Sequence, residues 1–189
     1  MRYRTLAATG LICLVGTLTA PSFAQVPAGA TVATAPTGKR AQLSSSDKDF
    51  LEDSLSAGLA AVEASKLVVS KTANPKLKEF AQRMLKEQGK LNDEIDALAT
   101  LKGLTPATEP AVLQRTQLKA LAALDGEDAD KMYAQQFGVI DQQNNLLAFQ
   151  NASAKADDPE IKTFAKSKVS GFQDRLNLAR ALGKSDRGM

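Results

Sequence analysis

The sequence predicts an all-α protein, a four-helix bundle with a short extra crossover helix between helices 2 and 3. Three observations predict it. Four long segments repeat apolar residues at three- and four-residue spacing, which puts them on one helical face. Two corners share an Asx-Pro grammar, Asn74-Pro75 and Asp158-Pro159. There the Asx side chain caps a helix and Pro takes its first position. No stretch alternates apolar and polar residues as a half-buried strand would.

The N-terminal residues read as a signal peptide over 1–24. Arg2 and Arg4 form a positive start, Leu6 to Ala20 is apolar, and Ser22-Phe23-Ala24 places small residues for cleavage before Gln25. The apolar run is short for a membrane span, so an uncleaved anchor is the weaker reading. Cleavage leaves 165 of the 189 residues and lowers the formal charge from +3 to +1. A near-neutral chain offers no nucleic-acid footprint, and no membrane association is expected after cleavage. Residues 25–45, rich in Ala, Thr, Pro and Gly, read as a flexible linker. The bundle is expected over 46–183, with a tail at 184–189.

Helix 1 is expected over about 47–71, with Ser46 as its cap and Leu51, Leu55, Gly58, Val62 and Val69 inward. Asn74-Pro75 ends it and starts helix 2, over about 75–101. The helix 2 stripe is Leu77, Ala81, Met84, Leu91, Ile95 and Leu98. Gly103 and Pro106 stop it. The crossover helix spans about 109–124 and breaks at Asp125-Gly126. Helix 3 spans about 127–154, with Tyr133, Phe137, Ile140 and Leu147 on one face. Helix 4 spans about 159–182, with Ile161, Phe164, Val169, Phe172, Leu176 and Ala179 inward. The run from Asn74 to Ala81 also echoes the run from Asp158 to Ala165, 84 residues later. Either two hairpins form pseudo-symmetric halves, the favoured reading, or tight helix corners converge on one grammar.

Several stretches resemble a family of exported bacterial proteins, the domain of unknown function (DUF) 4142 family. They are Gly58 to Glu63 with Lys66-Leu67, Asn74-Pro75 with Phe80 to Met84, Ala129 to Tyr133, and Asp158-Pro159 through Ala165. The resemblance covers about Phe50 to Leu182. It implies a ferritin-like bundle with a His on each of helices 2, 3 and 4 and a Glu on helix 1. Here Gln88 and Arg175 stand at two of those His positions, and Asp141 or Gln142 at the third. Glu63 keeps the acidic position. At about 100° per residue Asp141 lies on the shoulder of the Tyr133 stripe and Gln142 points away, so Asp141 is preferred.

The chain has no His, and its one Cys, Cys13, lies in the signal-like segment. Imidazole and thiolate ligands, and His acid–base chemistry, are therefore missing from the bundle. No phosphate-binding or dinucleotide motif is present. The helical phases instead place Glu63, Lys66, Gln88, Asp141, Asn144 and Arg175 inside or at the edge of the bundle. Buried charges need partners, so an ion-pair network is one expectation, with Arg175 taking Asp141 or Glu63 and Gln88 completing the hydrogen bonds. The alternative is that Lys66 and Arg175 reach out from the bundle edge. The basic side of helix 2 is interleaved with Glu79 and Glu87 and reads as a solvated face. Helix 3 is rich in amides, from Gln135 to Asn145.

The functional expectation is an exported, non-enzymatic module without a cofactor, binding a protein or small-molecule partner in the cell envelope or in stress physiology. The competing readings are a carboxylate-based metal or redox protein and a lipid-binding amphipathic bundle.

Overall fold

The computed structural model describes residues 42–185, with side chains through 182. The expected signal peptide, linker residues 25–41 and tail residues 186–189 lie outside the described residues. Among the described residues there is no strand. The helices are α1 (Ser45–Lys71), α2 (Pro75–Leu101), α3 (Val112–Ala122), α4 (Gly126–Met132), α5 (Asp141–Lys155) and α6 (Pro159–Ser185). A π-helical segment, Tyr133–Ile140, joins α4 to α5, so Gly126 to Lys155 forms one long rod. With α1, α2 and α6 it makes the four helices of the bundle; α3 is the crossover.

Each corner is built from short-range chemistry. Ser44, not Ser46, caps α1: its backbone is extended, and its Oγ accepts from Asp47 N at 3.2 Å. Asn74 Oδ1 accepts from Lys76 N and Leu77 N. Asp158 Oδ1 accepts from Glu160 N and Ile161 N in the same way, so the two Asx-Pro corners share one geometry. Helix α2 ends on Gly103, whose φ of 83° suits glycine. Leu104 N donates to Ala99 O and Gly103 N to Thr100 O, which closes the Schellman pattern. The crossover starts later than expected. Ala111 N donates to Ser56 Oγ on α1 at 2.7 Å, which holds the loop before α3 against the bundle.

Two lysines tie the ends together. Lys71 Nζ donates to Ala122 O and Leu124 O and pairs with Asp125, which fixes the end of α1 to the end of α3. Lys102 Nζ lies 2.6 Å from Asp158 and 2.6 Å from Glu160, which fixes the end of α2 to the start of α6. Buried Asp47 accepts from Asp158 N at 2.8 Å and brings the start of α1 to that same end.

The apolar interior is two clusters. One gathers Ala61, Val68, Phe80, Met84, Leu121, Tyr133 and Phe137. The other gathers Leu51, Leu55, Leu91, Ile95, Phe149, Ile161 and Phe172. In α1 the deepest positions between Gly58 and Val68 are Ala60, Ala61, Ala64 and Ser65, while Val62 and Val69 are half-buried. Small side chains let α1 approach its neighbours closely, and a period read from large apolar residues passes over them.

Candidate functional site

Between the two apolar clusters each long helix contributes a residue of another kind. These are Gly58 on α1, Gln88 and Asn92 on α2, Gln142 on α5 and Arg175 on α6. Gln88 is 1% exposed, Gln142 0% and Arg175 5%. The layer has two halves. In one, Gln88 Nε2 donates to Asn92 Oδ1 at 3.0 Å. Gly58 leaves room for this pair: a Cβ there would strike Asn92 and lie 2.7 Å from Gln88 Nε2. Gln88 Oε1 is buried without a hydrogen-bond partner.

In the other half, Arg175 Nε donates to Gln142 Oε1 at 3.0 Å, and Arg175 NH1 lies 3.4 Å from Glu87 Oε2. The guanidinium carbon sits 4.3 Å from the Phe172 ring centre, over its face. Burial pulls the Arg175 pKa below its ordinary value, and the hydrogen bond and charge of Glu87 oppose that shift. Arg83 completes the chain, with Nε 2.6 Å from Glu87 Oε1.

The π-helical segment creates this arrangement. Asp141 N donates to Gln136 O, five residues back, rather than four. The wide turn adds one residue to the repeat, so the large buried side chains run Tyr133, Phe137, Gln142, Leu146 and Phe149. The step from Phe137 to Gln142 is the added residue. Gln142 Nε2 points back to Phe137 O at 3.4 Å, across the widened turn.

This shift corrects the expectation for helix 3. Ile140 and Leu147, expected inside, are 38% and 51% exposed. Gln142 is buried, and Asp141 is half-buried outside the layer, accepting from Gln136 Nε2 at 2.9 Å. Burial pushes the Asp141 carboxyl above its ordinary value, and the Gln136 bond offsets part of that. Asn144, two positions past the shift, is exposed. Glu63 and Lys66 are exposed too, because α1 turns its Ala61, Ala64, Ser65 side inward. Of the six expected interior residues, the structure brings Gln88 and Arg175 into the layer. It leaves Glu63, Lys66 and Asn144 at the surface. The Arg175 ion pair is with Glu87 rather than Asp141 or Glu63.

Glu87 and Asn92 belong to the site without having been expected there, and Gln142 takes the place for which Asp141 was preferred. Asn92 carried a signal, since it lies one turn from Gln88. Glu87 carried a weaker one, the four-residue spacing from Arg83. A model of the DUF4142 domain of unknown function matches residues 32–182. The chain belongs to the DUF4142 family. No curated protein matches it. Solved structures share the fold of this DUF4142 domain. A DUF305 protein from Streptomyces coelicolor has a TM-score of 0.61 at 19% identity, over 72% of this chain and 89% of that one. A DUF305 fragment from Deinococcus radiodurans has a TM-score of 0.64 at 13% identity, over 74% and 96%. A conserved hypothetical protein from Mycobacterium tuberculosis has a TM-score of 0.57 at 16% identity, over 73% and 97%.

The layer of this DUF4142 domain does not fit a transition metal. Its donors are two neutral glutamines, an asparagine and a guanidinium that has no lone pair to offer. Among the described residues Glu87 is the one carboxylate bonded to it, and Arg83 and Arg175 already hold it. Among the described residues no group of three or more His, Cys, Asp or Glu could hold a metal ion. None of the described helices is long and apolar enough to cross a membrane.

Proposed function

We propose that this chain is an exported, non-enzymatic helical module that acts by binding a partner, with its buried polar layer serving the fold. One observation carries this reading. Arg175 occupies the bundle interior as a permanent cation, bonded to Gln142 and Glu87 and stacked on Phe172. A metal cation is repelled from such a site, and a guanidinium is a poor base at neutral pH. Export is supported by the signal-like residues 1–24. The Streptomyces coelicolor neighbour, described as a candidate secreted protein, agrees with it.

Metal analysis of protein purified without chelators tests the proposal. Iron and manganese well below one equivalent are expected. A stoichiometric metal that is lost on Glu63→Ala or Glu87→Gln would overturn it. Export is checked by fractionating the producing cell and sequencing the N-terminus, with Gln25 expected as the first residue.

A further inference from the structure

A cleft of about 630 Å³ opens between α1, α3 and α5 at the end of the bundle that holds the second apolar cluster. Its size is in the range of small-ligand sites. Four amides line it, Gln114, Asn144, Asn145 and Asn151, together with Phe50 and Asp53. None of these four amides has a hydrogen-bond partner among the described residues, and Gln114 Oε1 is buried. Other amides of the domain are engaged: Gln88 with Asn92, Gln136 with Asp141, Gln142 with Arg175, Gln143 with Arg180, and Gln173 with Asn177. Four of the unpartnered amides thus share this one concave place.

An amide side chain offers a donor and an acceptor together. Several of them around one cavity match a ligand whose surface carries many groups of both kinds. Asp53 adds an exposed acceptor. Phe50 adds a partly exposed ring, held by an edge contact to Phe149 at 5.0 Å and 72°. Ala148 and Ala152 keep the wall low. The charges are nearly balanced. Asp53 faces Lys155 in sign, and the Asp47 carboxylate is already bonded to Asp158 N. Charges of both signs line the cleft with no strong excess of either, so nothing in it selects a strongly anionic or cationic ligand. Hydroxyls for the amides, a C–H face for Phe50 and no net charge are together the chemistry of a sugar.

We infer that this cleft binds a short neutral oligosaccharide. The inference rests on the binding-module reading above and names its ligand class.

The test is titration of the 15N-labelled protein with the N-acetylglucosamine tetramer and with maltotetraose, read on side-chain amide signals. Saturable shifts are expected at Gln114, Asn144, Asn145 and Asn151 with at least one of the two sugars. Asn145→Ala with Asn151→Ala is expected to weaken binding by about tenfold or more. Ala148→Trp is expected to abolish it by filling the cleft while every amide remains. Thermal melting of each variant checks that the bundle is intact. Three results would overturn the inference: no saturable shift with either sugar at millimolar concentration, binding unchanged in a folded Ala148→Trp protein, or the same amides saturating with tetra-alanine amide and with neither sugar. The metal analysis above does not depend on this cleft, so failure of the sugar leaves the module reading to that separate test.

Discussion

Arg175 Nε and Gln142 Oε1 face each other at 3.0 Å across the α5–α6 interface, in a layer almost closed to water. Arginine can only donate, so this bond also sets the orientation of the Gln142 amide. Removing one partner exposes the other to an apolar environment. Gln142→Leu is expected to cost about 2–4 kcal/mol, because a buried charged donor loses an acceptor. Arg175→Leu is expected to cost about 1–3 kcal/mol, because it strands a neutral amide. The double substitution should cost less than the sum. Urea denaturation of the four proteins measures the coupling, and strict additivity would show that the pair is not coupled.

The π-helical segment makes an unusual prediction about deletions. Removing Ile140 takes out the added residue and returns the step between Phe137 and Gln142 to one α-helical turn. The buried stripe keeps its phase on both sides. Removing Leu147 from regular α5 rotates everything beyond it by about 100°. Both residues are exposed, so side-chain loss is similar. The Ile140 deletion is expected to melt well above the Leu147 deletion in circular dichroism. Equal melting would argue that the segment is not a one-residue insertion.

Gly58 is tight against the amide pair. Gly58→Ala gains about 1 kcal/mol of helix propensity but forces Asn92 and Gln88 to move, at about 1–3 kcal/mol. A net loss is expected. In an Asn92→Ala background the closer clash is gone and only Gln88 must shift, so the penalty should shrink by about 1 kcal/mol or more. A chemical-denaturation cycle checks the change in penalty.

The corner at Asp158 predicts acid sensitivity. Burial alone would raise its carboxyl, but Lys102 and the backbone N–H groups of Ile161 and Glu160 outweigh that and hold it below the ordinary 3.8. A depressed carboxylate stabilises the fold above its unfolded pKa, and that contribution is lost as pH falls through the folded value. Asp158→Asn should therefore lower the melting temperature at pH 7, and the loss should shrink as the pH is lowered into the acid range.

Asp141 has the opposite sign. Its carboxyl is pushed above the ordinary 3.8 by burial, so its ionised form is disfavoured in the fold at neutral pH. Asp141→Asn keeps an acceptor for Gln136 and is expected to raise the melting temperature at pH 7. The gain should vanish in acid, where the carboxyl is protonated in both states. A gain that persists unchanged in acid would refute the assignment.

Much of the architecture was legible in local chemistry. The Asx-Pro corners marked the starts of α2 and α6, because an N-cap and a proline at the first position act through neighbouring backbone groups alone. The bounds of α2, Pro75–Leu101, matched what those signals implied. The interior of the third rod was less legible. Its expected stripe was right at Tyr133 and Phe137, where the phase is still that of the preceding helix, and wrong at Ile140 and Leu147, where the added residue has shifted it. The two-way choice between Asp141 and Gln142 was that same one-residue slip, seen without its cause. On α1, the expected interior places of Glu63 and Lys66 failed for another reason: alanine and serine form the contact face, and they carry little hydrophobic signal.

The sequence by itself determined the class, the number of long helices, their corners and the family. It also determined that His and Cys chemistry is missing from the bundle, since composition needs no structure. Tertiary structure decided which polar residues meet. Helical phase is a running sum, and a single wide turn resets it for every residue beyond. The partners Glu87, Gln142 and Arg175 come from three different helices, and only the packing of those helices brings their side chains within bonding distance.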